Sequence, residues 1–354
     1  MASGERLPSA GSPELVLQKI LDSTRECVLV VSQNLRITNY NVHAAVSFGR
    51  EGLDLEGRRL SEVLRNIELH GAFQRALTEQ VSSDIQFELI RTGTRKFDVH
   101  IAPIELNGQH FAIGFFYETT QIERLESIRQ EFLSNISHEL RTPLTSILAF
   151  VETLEDGGLD DAENNRQFLG VIRRNAERMR CLISDILDLS MIESGNVPVD
   201  LCPVHLLPVV EDIFAALSAK AKVRDVTLHA DIEPGVTLIA DPGRLEQMLI
   251  NLIDNAVKFN RDGGEVEVLF ERCADKDVIS VRDTGEGILP EHASRIFERF
   301  FRADRSRSGE IRGTGLGLAI VKHLTRLHGG EISMTSEMGV GTTFTIELPS
   351  EKRP

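Results

Sequence analysis

FLSNISHELRTPLTSI, residues 132–147, is the stretch on which the reading of this chain turns. It lies in a run whose apolar residues fall at Ile122, Leu125, Ile128, Phe132, Ile136, Leu140, Leu144, Ile147, Val151 and Leu154. Their mean step of about 3.6 predicts one long helix with a single apolar stripe. His138 lies between stripe residues Ile136 and Leu140. Two residues along a helix turn the direction by about 200°, so His138 points away from the packed face. Thr142 follows one turn later on that same face, and Glu139 adjoins both. Pro143 has no amide hydrogen, frees the carbonyl of Glu139 and is expected to kink the helix beside the histidine. A neutral imidazole is a competent nucleophile near pH 7, and a neighbouring carboxylate can take or hold its proton. Read alone, the same pattern is more often a solvated histidine on a polar helix face.

Asp156-Gly157-Gly158 ends that helix, and a second follows through Phe168, Ile172, Met179, Leu182, Ile186, Leu189 and Ile192 to Ser194-Gly195. Two long helices with a short connection make a hairpin. One hairpin buries its stripe poorly, so a four-helix bundle from two chains, a homodimer, is its natural completion. Residues 1–12 read as a flexible tail rich in Ser, Gly, Ala and Pro. Residues 13–119 read as a small α+β domain. CVLVVSQ and RITNYN flank Asn34 as a hairpin, Phe97, Val99 and Ile101 alternate with polar neighbours, and HFAIGFFYE follows Asn107-Gly108. The hairpin helices occupy 120–197. From 198 to 350, helices at 206–223, 243–260 and 315–328 alternate with strands around 226–239, 264–271, 277–282, 330–335 and 342–348, a second α/β domain with its own core.

Whole-chain numbers agree with several soluble domains. The 354 residues carry 54 acidic against 39 basic side chains, a net charge of −15, which argues against nucleic acid as a partner. Cys27, Cys181, Cys202 and Cys273 lie far apart with no CxxC pair, so neither a zinc site nor a disulfide framework is indicated. The longest apolar runs are far short of the ~20 residues that a spanning helix needs. The expected location is the cytoplasm, with membrane association only through a partner protein.

Two further clusters carry chemistry. In RLEQMLINLIDNAVKFN, residues 244–260, the residues Leu245, Met248, Leu249, Leu252, Ile253 and Val257 form one apolar face. Asn251, Asn255 and Lys258 share the opposite edge. Amide oxygens can ligate a hard cation such as Mg²⁺, and a lysine can neutralise phosphate. VRDTGEGI at 281–288 holds Asp283, Gly285 and Gly287. RGTGLGLAIVK at 312–322 runs into a helix through Gly313, Thr314, Gly315, Leu316 and Gly317. Glycines let backbone amides approach phosphates, and a helix N-terminus adds its dipole. Between the loops, Arg302, Arg305, Arg307 and Arg312 read as a mobile basic lid.

His138 with Glu139, Asn251 with Asn255, DTGEG, FERFFR and GTGLGLAI together resemble, in order and spacing, the bacterial two-component sensor histidine kinases. The resemblance covers about residues 120–350. Residues 128–155 look most like the phosphate-regulon sensor kinase group, and residues 13–119 more loosely resemble a PAS sensor domain. There YETT at 117–120 puts Glu118 where such domains usually carry Asp. The resemblance implies a multidomain α+β chain: a PAS-like domain, a dimeric four-helix bundle from two hairpins, and a Bergerat α/β sandwich that binds ATP. It implies His138 as phosphoacceptor, Glu139 as general base, and Thr142 as the residue that positions water for dephosphorylating a response regulator. It implies Asn255 as Mg²⁺ ligand supported by Asn251, Lys258 on phosphate, and Asp283 on the adenine amino group. Phe259, in place of the tyrosine of many relatives, would pack on adenine. Gly285, Gly287, Arg302, Gly313, Thr314, Gly315, Leu316 and Gly317 would shape the nucleotide loops. Two other readings stand beside it: a Bergerat ATPase of the gyrase or heat-shock chaperone type, and a dimeric scaffold with a degenerate nucleotide site. No PAS cofactor can be assigned, since His43, His70, His100 and His110 are individually more often surface or packing histidines than haem ligands, and Cys27 lacks the surroundings of a flavin photoreceptor.

Overall fold

The computed structural model describes residues 19–49, 54–90, 93–106, 108–156, 162–193, 198–303 and 313–350. The expected tail at 1–12, the Gly157-Gly158 and Ser194-Gly195 breaks, and Arg305, Arg307 and Arg312 lie outside the described residues. Two compact units divide the chain, Met1–Gln130 and Glu131–Pro354.

In the first unit, β1 (Cys27–Ser32) and β2 (Ile37–Tyr40) precede α1 (Val42–Phe48), α2 (Leu60–Val63) and α3 (Ile67–Glu79). Then come β3 (Ser83–Ile90), β4 (Thr94–Leu106) and β5 (Gln109–Glu118). The strands form one antiparallel sheet in the order β2-β1-β5-β4-β3. Its core is aromatic: Phe48, Phe73, Phe87, Phe97 and Phe116 are buried together, with Phe48 and Phe116 edge-to-face at 4.9 Å. The core also leaves no room at Gly114, where a β-carbon would lie 2.6 Å from the Phe73 ring. Buried Asn41 ties the layers, accepting from the amides of Val28 and Ala44 and donating to the carbonyls of Leu21 and Glu26. The four histidines sit on separate elements, His43 in α1, His70 in α3, His100 in β4 and His110 in β5. His100 contacts Asp84 at 2.6 Å and His70 the Leu64 carbonyl at 2.7 Å. Glu118, at the end of β5, is ion-paired with Arg95 and accepts from Thr120 at 3.0 Å. The chain therefore leaves the sheet through a tied corner.

Helix α4 (Thr120–Glu155) starts there and continues unbroken through Pro143, which is buried. With α5 (Ala162–Glu193) it forms the hairpin, pinned by Asn175 donating to Ser146 at 3.2 Å. The single stripe expected for α4 is covered only in part, its members Ile122, Leu125, Ile128 and Leu144 being exposed. Phe132, Ile136 and Leu140 pack against the core of the second unit, and Pro143 and Leu154 are buried. Leu133, Leu144 and Leu148 on α4, and Leu169, Ile183, Leu187 and Met191 on α5, stay exposed.

The rest of the second unit is a layered α/β domain. Its elements are β6 (Cys202–His205), α6 (Leu206–Val223), β7 (Thr227–Asp231), β8 (Thr237–Ala240), α7 (Pro242–Lys258), β9 (Glu265–Cys273) and β10 (Lys276–Asp283). They are followed by α8 (Pro290–Ala293), α9 (Gly317–Leu327), β11 (Glu331–Glu337) and β12 (Gly341–Pro349). The main sheet runs β11-β12-β10-β9-β7, antiparallel except for the β7–β9 pair. Strand β10 shows why one face is covered: Asp277, Ile279, Val281 and Asp283 are buried, and the residues between them are not. Leu245, Met248, Leu249, Leu252, Ile253, Ala256 and Val257 of α7 fill the layer above, with α6 and α9 beside it. The region 226–239 holds two strands in different sheets, because Pro234-Gly235 turns the chain and β8 pairs with β6.

Candidate functional site

Helix α7 is the spine of the site. Asp241 caps it by accepting from the Arg244 amide at 3.1 Å, and Pro242 occupies its first turn. Its apolar face is buried, so the edge carrying Asn251, Asn255 and Lys258 is held at the margin of the core, and all three are half-buried. The Asn251 amide donates to the Gln247 carbonyl at 2.9 Å. Its oxygen meets the start of α9, where a β-carbon on Gly317 would lie 2.8 Å away. Eight residues on, about 12 Å at 1.5 Å per residue, the Phe259 carbonyl accepts from Glu286 at 3.2 Å and abuts Gly285. Asn251 thus touches one glycine loop and Phe259 the other, with Asn255 between them. Among the described residues, the Asn255 carboxamide has no hydrogen-bond partner.

Asp283 ends β10 as a buried carboxylate. Its Oδ1 accepts from the amides of Gly285 at 2.8 Å and Thr342 at 3.3 Å. Burial pushes its pKa up, against the pull of those two amides. The loop after it is clamped to the β11–β12 hairpin. Gly287, at φ 75°, packs on the Glu337 carbonyl, the Ile288 amide donates to Ser336 Oγ at 2.8 Å, and Ser336 meets Thr342 Oγ1 at 2.9 Å. Gly315, at φ 72°, lies against the Phe300 backbone, and its carbonyl accepts from the Phe300 amide at 2.9 Å. Leu316 is fully buried and precedes α9, while Gly313 has open space around it. A buried acceptor with a free second oxygen, an unengaged amide and a helix N-terminus on one spine can hold an aminopurine triphosphate.

Three family models match: the histidine kinase-, DNA gyrase B- and HSP90-like ATPase over residues 240–352, the His kinase A phospho-acceptor domain over 128–195, and the PAS fold over 21–124. The phosphate regulon sensor protein PhoR of Pseudomonas aeruginosa is 31% identical over 341 residues, covering 96% of this chain and 76% of its own length. The chain belongs to the sensor histidine kinases. Sensor protein SrrB of Staphylococcus aureus is 29% identical over 83% of this kinase chain. The chain spans about half the length of these SrrB relatives, 52% for this one. The fold of histidine kinase ThkA, solved in complex with response regulator protein TrrA, superposes on 95% of the chain with a TM-score of 0.52 at 23% identity.

In this kinase, His138 and Thr142 lie exposed on α4, and the Thr142 hydroxyl donates to the His138 carbonyl at 3.2 Å. Glu139 beside them is half-buried and ion-paired with Arg178 of α5 at 2.8 Å. Lys258 is also engaged, at 2.5 Å from Asp254, which Lys220 contacts at 2.9 Å. Burial raises the Asp254 pKa, but the two lysines outweigh it and hold the carboxyl below its usual range. Thr314 donates to Asp185 of α5 at 2.8 Å. Gln247 donates to Asp188 at 2.9 Å, and Phe132 packs on Phe300 with ring centres 5.7 Å apart. These contacts, with Leu182, Leu189 and Ile192 in the shared core, seat the ATP-binding domain on the hairpin. Phe259 is 49% exposed and Arg302 half-buried.

Sequence reading missed Gly341 and Thr342, which complete the Asp283 corner: a β-carbon on Gly341 would lie 1.9 Å from the Asp283 carbonyl. The Gly-Val-Gly-Thr at 339–342 was the available signal. Asp254, four residues before Lys258, was a second.

Proposed function

We propose that this chain is an ATP-dependent autokinase that phosphorylates His138 and passes the phosphoryl group to an aspartate of a response regulator. The observation that carries this reading is the pairing of an exposed His138, beside a carboxylate, with the α7 spine joining two glycine loops in the same unit. Asp283 would accept from the adenine amino group through Oδ2, its Oδ1 being committed to the Gly285 and Thr342 amides. The unengaged Asn255 carboxamide fits a single Mg²⁺ ligand. No group of three His, Cys, Asp or Glu among the described residues could hold a metal. The ion would therefore take its other ligands from phosphate and water, and its chemistry is to neutralise charge on the transferring group. An imidazole nitrogen of His138 attacks the γ-phosphorus, the bond to the β-phosphate oxygen breaks, and ADP leaves. Glu139 accepts the imidazole proton, so positioning and charge do most of the work.

Exposed Leu144, Leu148, Ile183, Leu187 and Met191 support a second hairpin completing a four-helix bundle. Thr142, one turn from His138, supports a phosphatase role toward the response regulator. The likeness to PhoR supports a phosphate-starvation input. No described helix is long and apolar enough to cross a membrane; the proposed reading includes a membrane partner protein as the source of the signal.

Incubation with γ-labelled ATP and Mg²⁺ should label the chain with phosphate lost in acid and kept in base, as a phosphoramidate is. His138→Gln and Asn255→Asp should each abolish the label, and mixing the two should restore it if transfer runs between chains of a dimer. Acid-labile phosphate on His138→Gln overturns the reading.

A further inference from the structure

The ion pair between Glu139 and Arg178 has no part in the steps above, yet it fixes the group that takes the proton. Arg178 Nη2 reaches across the hairpin to Glu139 Oε2 at 2.8 Å, and the two side chains are only 24% and 30% exposed. Three residues before Arg178, Asn175 donates to Ser146. That bond registers α5 against α4 one turn before the pair, and Leu182, one turn after it, is buried in the core. The guanidinium is a permanent cation with a planar fork, and here it spends one nitrogen on one carboxylate oxygen. Among the described residues, Glu139 Oε1 takes no hydrogen bond.

We propose that Arg178 is a positioning residue for histidine phosphorylation: it clamps Oε2 of Glu139, so that Oε1 is left to accept the proton of His138. The inference rests on the reading of Glu139 as the base. The arrangement resembles in logic any base oriented by a third group, with the order acceptor His138, base Glu139, orienter Arg178. A glutamate next to an imidazole can rotate through several staggered wells, and most of them turn the carboxylate from the ring. An anchor on the facing helix removes that freedom before ATP arrives.

The test uses the full chain. Arg178→Gln should slow autophosphorylation about tenfold at saturating ATP and leave the KM for ATP unchanged. Arg178→Lys, which keeps the charge and most of the stem, should recover much of the rate. Phosphoryl transfer from Arg178→Gln, labelled by long incubation, to the response regulator should proceed at the parental rate, since Glu139 takes no part in it. An unmoved rate in Arg178→Gln overturns the proposal, as does a rate loss that Arg178→Lys does not recover or that comes with a raised KM for ATP. Should the glutamine variant fail to fold by circular dichroism, Arg178→Lys alone decides: a rate a few-fold below the parent at unchanged KM supports the proposal, and a parental rate overturns it. Glu139→Gln measured alongside keeps the two readings apart. If it retains full autophosphorylation, the base assignment fails. If it is inactive while Arg178→Gln is normal, only the positioning role fails. The double variant should be no slower than Glu139→Gln.

Discussion

Substituting alanine for Gly285 isolates what the glycine loops do. A β-carbon there would lie 2.3 Å from the Phe259 carbonyl oxygen, 3.0 Å from its carbon and 2.9 Å from Asp283 Oδ1. Relief requires a displacement of about 1 Å to reach an ordinary carbon–oxygen contact. Phe259 cannot supply it freely, because its amide closes the last turn of α7 on the Asn255 carbonyl at 3.0 Å and its carbonyl accepts from Glu286. The loop must therefore give, taking the Asp283 carboxylate with it. Overpacking of this kind costs about 1–3 kcal/mol. A central value of about 2 kcal/mol, felt at the nucleotide, weakens binding roughly thirtyfold. Gly313→Ala is the matched control, since among the described residues nothing lies within 4 Å of its added carbon and its φ is outside the left-handed region. Calorimetric titration of the full chain with a non-hydrolysable ATP analogue reads both, and the control should stay within about twofold of the parent. If Gly285→Ala binds like the parent, or Gly313→Ala is the weaker of the two, the packing argument is wrong.

Thr142→Ala should keep autophosphorylation and lose most response-regulator dephosphorylation, measured as release of phosphate from the phosphorylated regulator; an unchanged rate removes the phosphatase role. Two carboxylates of the ATP-binding domain should respond to pH with opposite signs. Asp254 is held low by its lysines despite burial, so its stabilisation is present above the unfolded pKa of about 3.9 and lost as pH falls through the folded value. Asp254→Asn should lower the melting temperature at pH 7 and converge with the parent in acid. Asp283 is raised by burial, so ionising it costs stability that is absent in acid and appears as pH rises through the folded value. Asp283→Asn, whose oxygen can still accept the Gly285 and Thr342 amides, should melt higher than the parent at pH 7 while losing ATP binding. A melting series from pH 3.5 to 7.5 without nucleotide checks both signs, and a shared sign refutes the assignment.

Local signals carried the elements with strong period. The α7 pattern and its buried face were legible because 3.6-fold spacing puts Leu245, Met248, Leu249, Leu252, Ile253 and Val257 on one side, and all six are buried. The α4 stripe was legible as a helix but not in which of its members are covered. Periodicity reports that Phe132 and Leu144 are apolar, and only packing tells that one meets the ATP-binding domain while the other stays exposed. Strand β8 was merged with β7 although Pro234-Gly235 marks a turn, since a short strand pairs according to its distant partner. Arg178 and Asp185 stayed hidden for a related reason. Arg178 stands 39 residues from Glu139 and Asp185 129 from Thr314, and no local rule fixes which turns of two helices or two domains face one another.

The glycines show most clearly where sequence logic and packing part. Reading GEG and GTGLG as phosphate loops supposes that each glycine makes room for a ligand. In the folded chain Gly285, Gly287, Gly315 and Gly341 each press on protein backbone, at Phe259, Glu337, Phe300 and Asp283. Within GEG and GTGLG, Gly313 is the glycine with no described atom within 4 Å of an added β-carbon. Gly285 is thus stacked on the end of α7, Gly287 and Gly341 join the Asp283 loop to the β11–β12 hairpin, and Gly315 lies on the Phe300 backbone. That stacking brings Asp283, Thr342 and the α7 edge into one corner. Amides in such a stack are held by main-chain contacts, so their aim depends little on side-chain rotamers and costs little reorganisation when an anion arrives. Side chains at the site can therefore be engaged elsewhere, as Lys258 is with Asp254 and Thr314 with Asp185. The backbone frame sets the shape of the site independently of those engagements.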